Sequence, residues 1–145
     1  MSKATVVFVL AGLLGAASSA RGDDLVGNYD IKLDEMANNC SPPPIAFRAA
    51  TLRLDVKQKS LTVNIETIPQ MAGVAAANNK IEAKTLKVAP TTVQGLDAKY
   101  SIAGRLSEAG ILDLVLVAEY STKGKPYCTQ SWKVSGQKST DKPKK

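Results

Sequence analysis

The clearest chemistry in this chain belongs to its two cysteines, Cys40 and Cys128. They lack the Cys-x-x-Cys spacing and the basic neighbourhood that activate a thiol, so a disulfide is favoured over two reactive thiols. In the chain-entropy model, closing this loop would stabilise the fold by about 4 to 5 kcal/mol by restricting the unfolded chain. We therefore predict a structural disulfide between Cys40 and Cys128.

Groups that commonly carry catalysis are scarce. The chain has no histidine, the usual general base and metal ligand near neutral pH, and no nucleophile elbow, phosphate loop or metal-spaced cluster. On one strand Asp113 and Glu119 would lie about 20 Å apart, too far for a glycosidase pair, and Asp34-Glu35 is interpreted as a solvated acidic pair. We predict no enzyme, no cofactor and no metal, with a serine–lysine dyad as the open alternative.

One aromatic residue is placed where a ligand could be held. Trp132 is the only tryptophan. It lies on the same strand face as Gln130, and polar residues alternate with this face on the opposite side of the strand. The face with Trp132 and Gln130 is predicted to point inward. A polar group beside an aromatic ring is typical of sites that orient a ligand. We predict a ligand site lined by Trp132, Gln130 and Tyr100; the alternative is a core tryptophan with Gln130 satisfied by backbone groups.

A second candidate surface lies on the most apolar stretch, residues 111–120. One of its faces carries only apolar residues, and the other carries Ile111, Val115 and Val117, so something must cover that second face. The cover is either intramolecular, for example the apolar loop predicted at residues 70–79, or a partner. The predicted interface residues are Met71, Val74, Val115 and Val117.

The elements that position these residues are strands. Apolar and polar residues alternate with period two at residues 29–34, 51–57 and 61–66, whereas helical periodicity is nearly absent. The pattern predicts an all-β fold, a single antiparallel meander barrel of about seven or eight strands whose first and last strands pair and are closed by the disulfide. A bulge is expected near Lys84 or Thr85. A β-sandwich is the alternative.

The first residues indicate the compartment. Lys3, the apolar residues 6–14 and the small residues 18–20 are typical of a secretory signal peptide, and no lipid-attachment cysteine follows. We predict a signal peptide at 1–20, a barrel domain at 21–136 and a disordered basic tail at 137–145. The expected location is periplasmic or secreted, where disulfides persist.

The basic charge of the chain, +6, says little about partners. Four lysines and one aspartate in the tail account for +3 of it, so a nucleic-acid partner is not predicted. Charged residues on outward strand faces, such as Lys32, Arg53 and Arg105, argue against a lipid-facing surface. We therefore do not expect the protein to span a membrane.

Gly27-Asn28-Tyr29 opens the first predicted strand, and a hairpin meander leads from it to a last strand bearing Cys128. This arrangement resembles the calycin group of small barrels, which includes lipocalins and avidins. Lipocalins usually have tryptophan where Tyr29 stands, so the resemblance implies architecture and no ligand class. We expect an exported, non-enzymatic binding protein for a small apolar or amphipathic ligand; the alternative is a protein-binding module, either an inhibitor of an envelope enzyme or a self-associating domain.

Overall fold

The computed structural model describes residues 25–40 and 48–139. The predicted signal peptide and residues 140–145 of the predicted tail lie outside these ranges. Within them the chain forms nine strands and one 3-10 helix, Ala77–Asn79. The strands are β1 (Gly27–Asn38), β2 (Ala49–Lys57), β3 (Ser60–Ile65), β4 (Ile68–Val74), β5 (Lys80–Lys84), β6 (Ala89–Pro90), β7 (Asp97–Leu106), β8 (Ile111–Thr122) and β9 (Lys125–Lys138).

The strands form one closed antiparallel barrel of eight strands. Successive strands pair from β1 to β5, β5 pairs with β7, and the ring continues through β8 and β9 back to β1, while the short β6 pairs with β7. The all-β meander barrel predicted from alternation is therefore confirmed, and the sandwich alternative is wrong. The ring closes where the first strand pairs with the last: β1 and β9 pair from Tyr29↔Lys138 to Asn38↔Gln130. This pairing leaves no long free edge on either strand.

The barrel interior is filled by side chains. Alternation turns one face of each strand inward, and the largest of the fully buried side chains are Trp132, Tyr29 and Tyr120. Trp132 and Tyr29 are 0% exposed, so no void large enough for water borders them. Because an eight-stranded barrel has room only for its own side chains or one small ligand, this packing leaves no room for a guest beside the tryptophan.

The two rims of the barrel differ. At the rim where β1 begins, Leu25 is fully buried and its carbonyl accepts a 2.7 Å hydrogen bond from the Tyr29 hydroxyl; we call this the Leu25 rim. At the other rim, where β1 ends and β9 begins, Cys40 and Cys128 form the predicted disulfide with their Cα atoms 5.3 Å apart. We call this the disulfide rim.

Three local expectations need correction or refinement. The first half of the predicted loop at 70–79 belongs to strand β4, where Met71 pairs with Val63 and Ala72 with Thr62, and Met71 is buried in the core. Strand β9 extends to Lys138, so the first two residues of the predicted tail belong to the barrel. The bulge predicted near Lys84 or Thr85 is instead a break between two strands: β5 pairs with β7 without a register shift and ends at Lys84, and residues 86–88 are exposed before β6 begins at Ala89. No helix of the described ranges is long and apolar enough to cross a membrane.

Candidate functional site

A chain of polar side chains lies at the disulfide rim. Gln130 Nε2 donates to Glu35 Oε2 at 2.8 Å, and the Tyr120 hydroxyl donates to Gln130 Oε1 at 3.0 Å. The ionised carboxylate fixes these directions: it can only accept, so the amide turns its NH₂ toward Glu35 and its oxygen toward the tyrosine. Both hydrogen bonds therefore point toward the carboxylate.

Two features of strand β1 set the position of Glu35: the alternation of inward and outward residues, and a bulge. Residues 29, 31 and 33 face inward, and Glu35 continues this face directly opposite Trp132 of β9. The register then shifts between Glu35 and Ala37, leaving Met36 as an extra, exposed residue. Since directly opposite residues of an antiparallel pair share a face, the bulge allows both Glu35 and Asn38 to lie on the inward side.

Tyr100 of β7 lies near the same chain. The Tyr100 backbone N–H donates to Thr85 Oγ1 at 3.0 Å, and the Thr85 N–H donates to the Tyr100 carbonyl at 2.9 Å, which holds β7 where β5 has ended. The Tyr100 side chain is 5% exposed, and its hydroxyl makes no hydrogen bond to any described residue. It can therefore still accept or donate a hydrogen bond.

Burial and neighbouring charge act on both phenols. Burial raises the pKa of Tyr100. The pKa of Tyr120 is raised first by burial, then by Tyr100 and by Glu35, because a phenolate would be both poorly solvated and close to negative charge. Both residues therefore remain neutral phenols at physiological pH.

The structure places all three predicted ligand residues in the barrel interior, but they lie at different distances from the rim. Gln130 and Tyr100 belong to the polar end of the interior, whereas Trp132 is fully packed in the core opposite Glu35. Sequence reasoning did not single out Glu35 or Tyr120. The alternation of inward and outward residues could have identified both of them, because Glu35 extends the inward series of β1 and Tyr120 extends the inward series of β8.

The predicted interface residues separate into two groups. Met71 faces the core, so it belongs to no exposed surface. Val74 is 66% exposed and lines an open groove of about 570 Å³ on the outer wall, together with Ser101 and Ala103. Val115 and Val117 pair with Ala103 and Ser101 respectively, so they lie beside this groove on the same wall.

Among the residues that the structure describes, the acid at the disulfide rim, Glu35, has no basic partner. No described residue forms an ion pair with Glu35, and no basic side chain is among the described buried residues. Within residues 25–40 and 48–139 no cluster of three or more His, Cys, Asp or Glu side chains could hold a metal ion. The arrangement offers hydrogen-bond acceptors and one negative charge.

Comparisons with protein-family models, curated proteins and solved structures gave no match to this chain. Its fold defines the class: a small, closed, eight-stranded antiparallel barrel carrying one disulfide. That architecture is compatible with the calycin group, and the disulfide is consistent with an extracytoplasmic location.

Proposed function

We propose that this chain is an exported, non-enzymatic binding protein that holds a small amphipathic ligand at its disulfide rim. The observation that carries the proposal is the chain of hydrogen bonds from Tyr120 through Gln130 to Glu35. It connects the buried interior to a carboxylate that is accessible at the rim. The disulfide and the signal-like first residues support a periplasmic or secreted location.

The polar chain is hard to explain as packing alone. Thr85 and Gln130 are the polar residues among the described buried set, and Thr85 has a structural role at the end of β5. An apolar residue of similar shape at position 130, with a matching change at Tyr120, would cost little stability, because paired polar groups can be replaced together almost neutrally. Retaining a satisfied amide there supports a role in orienting a ligand.

The filled interior supports a ligand position at the rim. Because Trp132 is fully packed, a ligand contacts the rim residues Glu35 and Tyr100 and does not reach the tryptophan ring. Trp132 is directly opposite Glu35 across β1 and β9, so its emission reports on events at the rim. The ligand site is therefore shifted outward from the one predicted around Trp132.

A panel of amphiphiles tests this function. The mature, disulfide-bonded protein is titrated with octanol, octanoate and octylammonium, following Trp132 fluorescence and the thermal unfolding midpoint. At least one amphiphile is expected to change both, and Tyr100→Phe to weaken the response, while Tyr127→Phe, at an exposed tyrosine, leaves it unchanged. Absence of any response across the panel would overturn the proposal.

The outer wall supports a second candidate function, protein binding. The exposed Val74 lines an open groove, and Val115 lies beside it, paired with Ala103. The lining combines small residues with Lys80, Glu82 and Lys84, and such a wall can seat a partner or a second copy of the chain. Val115→Lys is expected to abolish any concentration-dependent association seen by analytical ultracentrifugation or any complex with an envelope protein. A protein that stays monomeric and captures no envelope protein would exclude this candidate.

A further inference from the structure

We propose that the polar head of the rim ligand is a protonated amine. This inference rests on the proposed function and specifies the chemical class of its ligand. It follows from the hydrogen-bonding capacity left over at the rim and from the sign of the charge there. Neither feature depends on which apolar group the ligand carries.

The rim groups that remain free are mainly acceptors. Tyr120 uses its only proton on Gln130, so its oxygen can only accept further bonds. Glu35 accepts one hydrogen bond from Gln130 and has further lone pairs. Tyr100 adds a hydroxyl that is unpaired among the described residues. An ammonium group, with three donors and no acceptor, complements such a set.

Charge complementarity gives the same answer. Glu35 carries a negative charge at the end of an apolar interior, and no described basic residue pairs with it. An ammonium head would supply the missing counter-charge through a charge-assisted hydrogen bond. A carboxylate head would instead meet repulsion from Glu35 and would find only the Tyr100 hydroxyl as a donor among these rim groups.

The same rim provides apolar surface for the rest of the ligand. Met36 follows Glu35 at the β1 bulge, and Leu86 follows Thr85 where the chain leaves the wall; their exposed fractions are 60% and 80%. Both side chains are therefore available to contact an alkyl group outside the filled interior. An amphiphilic amine would thus place its head at Glu35 and its tail along the rim.

The test compares three amphiphiles that carry different head groups on the same kind of eight-carbon chain. Octylammonium, octanol and octanoate are titrated by calorimetry into the mature, disulfide-bonded protein, below their micelle concentrations. Octylammonium is expected to bind about tenfold tighter than octanol, as one charge-assisted hydrogen bond allows, and octanoate more weakly than octanol. This comparison uses the unmodified protein and therefore does not depend on the folding of a variant.

Two variants test whether Glu35 causes the preference for octylammonium over octanol. Glu35→Gln keeps an acceptor for Gln130 but removes the charge, so it should lower octylammonium affinity about tenfold more than it lowers octanol affinity, which removes the preference for the amine. Glu119→Gln, which removes an exposed carboxylate from the outer wall, is the matched control and should change neither affinity.

Two results overturn the inference while leaving the proposed function standing. In the first, octanol binds at the rim but octylammonium binds no tighter. In the second, octylammonium keeps its preference in Glu35→Gln. If none of the three amphiphiles binds, the proposed function itself fails, so the two failures are distinguishable.

Discussion

The Tyr120 hydroxyl donates a 3.0 Å hydrogen bond to Gln130 Oε1 inside the barrel. The bond gives the buried amide oxygen a donor, and it gives the phenol an acceptor whose orientation is fixed. The orientation is imposed from outside the pair by the Glu35 carboxylate. A change at either residue should therefore affect stability as well as binding.

Tyr120→Phe should destabilise the protein by about 1 to 3 kcal/mol. The variant removes the hydroxyl that donates to the buried Gln130 Oε1, and the loss of a hydrogen bond to a buried polar atom costs free energy of unfolding of this order. Urea unfolding of the disulfide-bonded protein measures the difference, with the exposed Tyr127→Phe as a control expected within about 0.5 kcal/mol of the unchanged protein. Equal stability of Tyr120→Phe and the unchanged protein would contradict this account of the chain.

Stability should fall above pH about 10. Burial raises the pKa of Tyr100 and Tyr120 above their usual 10, so the folded protein retains protons that the unfolded chain releases. The contribution of these phenols is complete below the unfolded pKa and is lost as pH rises through the folded values.

Urea midpoints measured from neutral to alkaline pH test this dependence. The double variant Tyr100→Phe/Tyr120→Phe should show a shallower alkaline decline than the unchanged protein. Identical slopes for the two proteins would refute the assignment to these tyrosines.

Loss of the disulfide should be costly. Its sequence separation is 88 residues, and the chain-entropy model gives about 4 to 5 kcal/mol for a loop of this length. Cys40→Ser/Cys128→Ser is expected to lower the free energy of unfolding by this order, measured by urea unfolding. A loss below about 1 kcal/mol would mean that β1 and β9 hold this rim without the cross-link.

The seam between β4 and β5 should be sensitive to added volume. It is made by two residue pairs, Ala72↔Lys84 and Gly73↔Ala83, and a Cβ on Gly73 would collide with the backbone carbonyl of Glu82. Gly73→Ala is therefore expected to cost about 1 to 3 kcal/mol and to speed amide exchange in β4 and β5. Ala76→Ser, at an exposed position nearby, is the control; unchanged exchange in Gly73→Ala would show that the seam can open to admit a methyl group.

Much of the fold could be predicted because its determinants are local. Alternation at Tyr29, Ile31 and Leu33 fixes the inward face of β1, and two cysteines in a chain predicted to be exported suggest their own pairing. Strand β4 could not be predicted from its residues, since Pro69 and a run of small side chains indicate a loop. It is formed by a partner, β3, with a register shift between Val63 and Ile65 that accommodates the interruption.

The candidate site was predictable only in part for the same reason. Gln130 was placed inward by the alternation of its own strand, and the structure agrees. Glu35 was interpreted as half of a solvated pair with Asp34, although the two side chains lie on opposite faces of β1. Its role arises from Gln130, 95 residues away in sequence, and from a bulge at Met36 that no local pattern marks.

Pairing of β1 with β9 places Tyr29 beside Lys138 at the Leu25 rim, on the far side of the barrel from Glu35. A short linker could therefore join the end of β9 to the start of β1, and the chain could be reopened at the turn of residues 107–110, between β7 and β8, on the same rim. Such a circular permutant would keep every strand pair and leave the disulfide rim untouched. The same geometry lets a fluorescent fusion or a surface tether be attached at the Leu25 rim without obstructing the disulfide rim.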